Sequence, residues 1–450
     1  MSEALPRVAV MNPAALQEEI SGAVLTAHDN GWDAARTFHS GIGEPELVVR
    51  AASVDDVRAA VRHAAAAGAP IVVRGGGHSA WASLPGGLAL DLRDLDAVAV
   101  DGTRVSVGGG ATWGAVAAAL AEHGLAISSG DTASVGVGGL TLGGGIGWMT
   151  RAWGLAIDQL VGAQVVTAAG ELVEASADAE PELFWALRGG GGNFGVVTRF
   201  DFEAHRLPEV VHAVLTVPAD PRETLRVLRD LLHDAPRELT VTYMDVPAMD
   251  PSAPAGASLT AVWAGSDPDA ARAALAPLLA LDGVDGDVEA IRYVDVLAHM
   301  PGVEETGQVP PGFIGGNALV RDLDDATIDG LIAFRRDYPG SVVFLRSLGG
   351  AYSDVPEEAT AFSGRAAGFF VMAGAFDIPQ LVDDATRARA AADWERIAAP
   401  GIGLYGNFIA DAKGGLIERM HAPETLARLR GLKRRWDPQN LFSRNHNIAP

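Results

Sequence analysis

Short apolar runs, punctuated by glycine and proline, divide the first half of this chain into alternating helices and strands. Ser53-Val54-Asp55-Asp56 reads as a capping box for a helix running to about Ala67, with Gly68 just past its end and Pro70 beyond. Ile71-Val72-Val73 follows as a strand, a βαβ-like start whose crossover delivers the chain to a glycine loop. Leu88 to Leu92 and Arg104 to Val107 read as strands, and Thr112 to about His123 as a helix ended by Gly124, with Trp113 in the core. Val161–Thr167 and Glu171–Ala175 form a hairpin around Ala168-Ala169-Gly170. A short helix opens at Pro181, where the ring suits a first turn, and a strand covers Val196 to Glu203. The residues before Ser53 begin as a helical lead-in.

The texture changes near Pro208. Strands Val211–Val217, Leu239–Met244, Leu259–Trp263, Val342–Leu348 and Phe369–Phe376 alternate with amphipathic helices, approximately Arg222–His233, Pro268–Leu281, Asp324–Tyr338 and Gln380–Ile397. This pattern predicts a second domain with an antiparallel sheet under helices. Met300 to Gly316, rich in proline and glycine, is either a lid or a connector. Leu404-Tyr405-Gly406-Asn407-Phe408 reads as a strand that puts Tyr405 and Asn407 on one face and buries Leu404 and Phe408 behind. A basic helix, His421 to Arg435, leads into the terminal segment.

Chemistry enters with the glycines. Arg74-Gly75-Gly76-Gly77-His78-Ser79 closes a buried strand, where bare N–H groups make an anion-binding nest, Arg74 adds charge at its edge and His78 stands at the lip as nucleophile or ligand. A second loop runs from Ser129 through Thr132, Val135, Gly138 and Gly139 to Gly143, Gly145, Gly147 and Trp148. Two such loops suggest a long, flat, phosphorylated ligand clasped from two sides. Gly190-x-Gly192-x-x-Gly195 matches the dinucleotide fingerprint literally, but it follows a helix and precedes a strand, the reverse of a Rossmann turn. The sequence has no Gly-Lys-Ser/Thr phosphate loop and no His-Glu-x-x-His metal helix.

These loops, with Trp185-Ala186-Leu187-Arg188-Gly189-Gly190-Gly191-Gly192-Asn193-Phe194-Gly195 and the tail Trp436-Asp437-Pro438-Gln439-Asn440-Leu441-Phe442, resemble the vanillyl-alcohol oxidase / p-cresol methylhydroxylase superfamily, most closely its berberine-bridge-enzyme-like oxidases. The resemblance implies an α+β fold: a PCMH-type FAD-binding domain of two α/β subdomains (residues 1–207, core about 43–207), a substrate-binding domain with an antiparallel sheet covered by helices (208–408), and a C-terminal segment (409–450) returning to the first. It implies FAD bonded covalently to His78. Bicovalent members carry a cysteine where this chain has Thr132, and there is no cysteine anywhere, so the link expected is through His78 only. Arg74, Gly75, Gly76, Gly77, Ser79, Thr132, Val135, Gly138, Gly139, Gly143, Gly145, Gly147, Asn193, Val197 and Asn407 are the remaining cofactor contacts expected. Trp148 and Trp153 are read as packing residues. Tyr405 matches the tyrosine that serves relatives as base; on its own terms it is a base or a packed strand tyrosine. An ordinary phenol, with a pKa of about 10, needs a nearby cation or donor for that task, and Arg321 and Arg346 are either that charge or structural ion pairs.

Composition narrows the partners. Across 450 residues, with 48% hydrophobic and 20% charged, two or three domains with a large core are expected. A net charge of −23 argues against nucleic acid and anionic membrane, both of which need a cationic face. No apolar stretch reaches a membrane span and no secretory signal is visible, so the default is a cytoplasmic monomer or weak homodimer. The function expected is an FAD-dependent oxidase of a small organic molecule with O2 as acceptor. A flavin dehydrogenase, an oxidative cyclase and a non-catalytic flavin-binding protein are the alternatives.

Overall fold

The computed structural model describes residues 11–79, 85–247, 256–379, 382–409 and 416–450. The first helix expected from its cap is Val54–Ala67: Ser53 accepts the Asp56 amide, Asp56 in turn accepts the Ala52 amide, and Gly68 closes the end at φ 65°. Its apolar stripe covers a four-stranded sheet in which Leu47–Arg50, Leu88–Asp91 and Ile71–Arg74 run parallel, in that order, with Ala23–Leu25 antiparallel at the far side. The expected βαβ step is therefore wider than drawn from the sequence, because Leu88–Asp91 inserts between the two strands the helix joins. Leu88 and Leu90 are wholly buried and suit the centre, whereas Ile71–Arg74 leaves Val73 open and takes the edge that leads into the glycine loop. The lead-in is less helical than expected. Two short helices, Pro13–Glu19 and Trp32–Arg36, alternate there with three short strands.

A second, antiparallel sheet follows the order Leu172–Ser176, Leu160–Val166, Val196–Glu203, Arg104–Gly108, Val98–Asp101. The third is a seven-stranded antiparallel sheet: Gly286–Arg292, Glu209–Thr216, Gly256–Trp263, Leu239–Val246, Ser341–Ser347, Phe369–Asp377, Gly312–Val320. The helices Arg222–Asp234, Pro268–Leu279, Asp325–Asp337 and Asp384–Ile397 bury its outer face in one large core. Residues 380 and 381, where the last of these was expected to begin, lie outside the described residues. Two strands escape the apolar pattern. Gly286–Arg292 is a polar edge strand, and Gly312–Val320 lies partly within the stretch read as a loop. Its Gly315 has φ +151° and sits where a side chain would overlap the backbone of Ala373, so glycine here marks close strand packing.

The C-terminal helix Pro423–Trp436 buries Leu426, Leu429 and Leu432 against Leu183, Trp185 and Phe194, and Leu441 and Phe442 join Ile71 and Leu88 in the core of the first sheet. Lys433 fixes this arrangement. Fully buried, it donates to Asp437 (2.7 Å), to the carbonyl of Asn193 (2.9 Å) and to that of Phe442 (3.0 Å). Lys433→Ala leaves Asp437 buried without its cation, and chemical denaturation should register a loss of about 3–5 kcal/mol. Among the described residues no helix is long and apolar enough to cross a membrane.

Candidate active site

The strand Ile71–Arg74 ends at Gly75, and the next turn packs back to back on the second glycine loop. A methyl group on Gly76 would overlap the backbone nitrogen of Gly136, and one on Gly136 would overlap that of Gly76, so only glycine permits this approach. The amides of Gly75, Gly76 and Gly77 find no backbone acceptor among the described residues. Three adjacent unpaired N–H groups are the donor set a phosphate requires. Part of the second glycine stretch is not the loop expected: Val137–Leu142 is a short helix, and its Gly139 has open space where a side chain would stand. The cradle thus fits a phosphorylated cofactor by its own geometry.

At the end of the turn, the His78 ring stacks on His39 with centroids 3.5 Å apart and planes 17° off parallel. Its Nε2 lies 3.0 Å from Oγ of Ser134. Burial, reinforced by His39, pulls the His78 pKa down to about 4. The imidazole is therefore neutral at pH 7 and keeps a nucleophilic lone pair. The Ser134 hydroxyl also reaches the carbonyl of Met300 at 3.5 Å. His39 carries no local signal in the sequence and was missed; only the fold brings it to His78.

Arg74 departs from the expected role. Its buried guanidinium donates to Glu304 (2.7 Å) and to the carbonyl of Ala35 (3.2 Å), with Asp91 at 3.8 Å. Its charge is neutralised by carboxylates instead of standing free for a phosphate, leaving its backbone as the part that shapes the loop. Glu304 belongs to the segment read as lid or connector. Its start is docked: just before it Ala298 exchanges backbone bonds with Asp131 and Ala133, and within it Val303 donates to the carbonyl of His39 and Glu304 also binds Arg93.

The second loop supplies the rest of the wall. Thr132 is buried, its hydroxyl donating to Asp131 at 3.0 Å, and the carbonyl of Val135 accepts the Trp113 amide. Gly138 lies against the carbonyl of Gly109. Gly143, Gly145 and Gly147 crowd Asn407, Ala156 and Ser129 respectively, so their missing side chains serve packing. Asp131 pairs with Arg346 at 2.8 Å. Arg346 also donates to Thr242 and lies 4.5 Å from the Trp148 ring, so it is a structural ion pair that fastens the seven-stranded sheet to the loop. Arg321 lies elsewhere, lining a cavity of about 590 Å³ with Arg419 and His421.

Tyr405 is fully buried, and its hydroxyl oxygen accepts three N–H groups: Gly145 at 3.1 Å, Ile146 at 3.2 Å and Asn407 Nδ2 at 3.0 Å. Burial raises its pKa, and the three donors only partly oppose that. The surrounding segment is not the strand expected. Gly406–Phe408 is a 3₁₀ turn, which folds Asn407 back onto the Tyr405 hydroxyl and the Leu140 carbonyl. Leu404 is buried as expected, whereas Phe408 is 36% exposed. Asn193 and Val197 form the frame. The Asn193 side chain donates to the carbonyls of Gly190 and His446 and accepts the Ile448 amide, while the Val197 carbonyl faces Gly109. Ser79 lies exposed where the first loop leaves the site.

Residues 45–176 match an FAD-binding domain family and residues 407–449 the berberine and berberine-like family. (R)-6-hydroxynicotine oxidase of Paenarthrobacter nicotinovorans is 31% identical over 456 residues, covering 96% of this chain and 97% of that protein. The chain belongs to the berberine-like FAD-linked oxidoreductases. A solved structure of this family, 6-hydroxy-D-nicotine oxidase from Arthrobacter nicotinovorans, superposes with a TM-score of 0.80 at 28% identity, over 96% of this chain and 98% of that one. Glucooligosaccharide oxidase from Acremonium strictum, whose FAD is 6-S-cysteinyl and 8α-N1-histidyl, shares the fold at a TM-score of 0.81 and 23% identity, with 97% and 98% covered. A berberine-like enzyme thus combines the two glycine loops, the paired histidines and the terminal segment in one fold.

Proposed function

We propose that this oxidoreductase is an oxidase of a small organic molecule, an alcohol, amine or secondary metabolite, with dioxygen as final acceptor and FAD joined to His78 alone. The observation that carries the reading is the neutral His78 imidazole, held between Ser134 and His39 at the end of a turn with three unpaired amides. FAD, when bound, supplies the hydride acceptor. The chain's own residues do the holding. The backbone of Arg74 to Ser79 and of Val135 to Gly139 cradles the phosphates. Thr132, Gly143, Gly145 and Gly147 wall the ring, with Asn193, Val197 and Asn407 behind them. Thr132 stands where bicovalent relatives have cysteine, and a hydroxyl cannot take the thiol's place. Residues 1–207 and 409–450 act as one flavin-binding unit around the inserted substrate-binding domain 208–408, a division supported by the tail's burial beside Leu183 and Ile71.

Tyr405 is the residue we assign to take the substrate's proton. Three N–H donors on one oxygen are a setting for phenolate, and they offset part of the cost of forming it in a buried place. The test is optical. Mixed anaerobically with a panel of alcohols and amines, the yellow protein should bleach with one of them and regain colour on admission of air. Colour that stays bleached in air marks a dehydrogenase, and a flavin that no compound bleaches marks a binding protein.

A further inference from the structure

We infer that the substrate is an uncharged, predominantly apolar molecule, an aromatic or alkyl compound with one oxidisable group, and not a sugar or a cation. The inference rests on the oxidase reading and adds the substrate's chemical class. On the seven-stranded sheet Val241, Tyr243, Val343, Leu345, Val371 and Ala373 face the helices. By strand alternation the intervening residues face the glycine loops, as the Arg346 bond to Asp131 and the Asn317 bonds to the backbone of Tyr405 show. The register sets Met244 opposite Phe344 and Phe344 opposite Met372, making one apolar row across three strands. Phe408 lies over this row, its ring centroid 6.0 Å from Phe344 and 5.8 Å from Tyr405. The row therefore runs up to the proposed proton acceptor.

Large apolar side chains are left open here. Met244 is 38% exposed and Phe408 36%. Exposed apolar surface concentrated beside a polar reaction centre is the usual signature of a ligand site. Of the polar groups beside this row, Arg346 is committed to Asp131 and Thr242, Asn317 to Tyr405, and Asn407 to Leu140 and Tyr405. Ser258, opposite Met244, adds a hydroxyl. A sugar would bury several hydroxyls against this floor without partners, which such a site rejects strongly. A cation finds no uncommitted carboxylate among these residues, because Asp131 is held by Arg346 and Glu304 by Arg74 and Arg93.

Binding to the flavin-loaded protein, followed by calorimetry, separates the possibilities. Straight-chain primary alcohols from butanol to octanol should tighten about three- to fourfold per added methylene, and cellobiose should bind more weakly than octanol. Met244→Glu, at an exposed position that leaves the core intact, should flatten that series and favour octylammonium over octanol. A flat series in the unaltered protein, tighter binding of cellobiose, or an unchanged slope in Met244→Glu overturns the inference. The two readings also fail separately. A steep alcohol series with no compound able to bleach the flavin removes the oxidase reading and leaves the apolar site standing. Bleaching by a sugar removes the apolar site and leaves the oxidase.

Discussion

His78→Ala should purify still yellow, yet release all of its flavin on acid precipitation, where the unaltered protein releases none. The variant loses the imidazole at the end of the first loop but keeps the amides of Gly75 to Gly77 and the packing of Gly76 on Gly136, which should hold phosphate without it. Turnover should be weakened or lost. Gly76→Val is the complementary change. Its side chain would be driven into the Gly136 backbone, so the two loops must part and flavin content should fall to a small fraction of the unaltered level. Equal flavin retention in both variants would separate the cradle from the cofactor.

Tyr405→Phe should cost both stability and rate. The phenol oxygen is the acceptor for two buried backbone amides and for Asn407. Each buried amide left without a partner costs about 1–3 kcal/mol, so the loss of two should appear in urea unfolding as about 2–6 kcal/mol. Sequence reasoning alone expects this substitution to leave folding nearly unchanged, because it treats the hydroxyl as free to meet substrate. The rate effect follows from the same oxygen. A general base contributes roughly 10²–10⁴-fold, so flavin reduction in Tyr405→Phe should slow by that factor. Only phenolate accepts a proton, and burial holds the Tyr405 pKa above its ordinary value. Anaerobic reduction should therefore rise with pH through neutrality, about tenfold per unit, and keep rising to at least pH 10. In Tyr405→Phe that slope should vanish. A slope that survives the substitution assigns the proton to another residue.

What could be read from the sequence was whatever rests on local pattern. The helix Val54–Ala67 is specified by its own Ser53 cap and Gly68 stop, and five of the seven long strands of the third sheet by mostly apolar runs. The glycine loops were legible because consecutive glycines are rarely tolerated without close backbone approach, as Gly76 and Gly136 show. What escaped depends on distant partners. Gly312–Val320 resembles a loop until Gly374 and Ala373 are beside it. Gly406 turns because Met420 and His446 leave no room for a side chain and Asn407 must reach Leu140. Arg74 looks like a free cation until Glu304 arrives from 230 residues further along the chain, and His39 has no visible role until the first loop folds over it.

The central claim is that a neutral His78, and no other side chain, carries the cofactor. Mass spectrometry of the denatured, protease-digested protein tests it most directly. The account predicts one flavin-modified peptide, containing His78, with the increment of a single FAD and no modification on any peptide containing Thr132. Flavin found wholly in the acid-soluble fraction, or attached to any other residue, would contradict it.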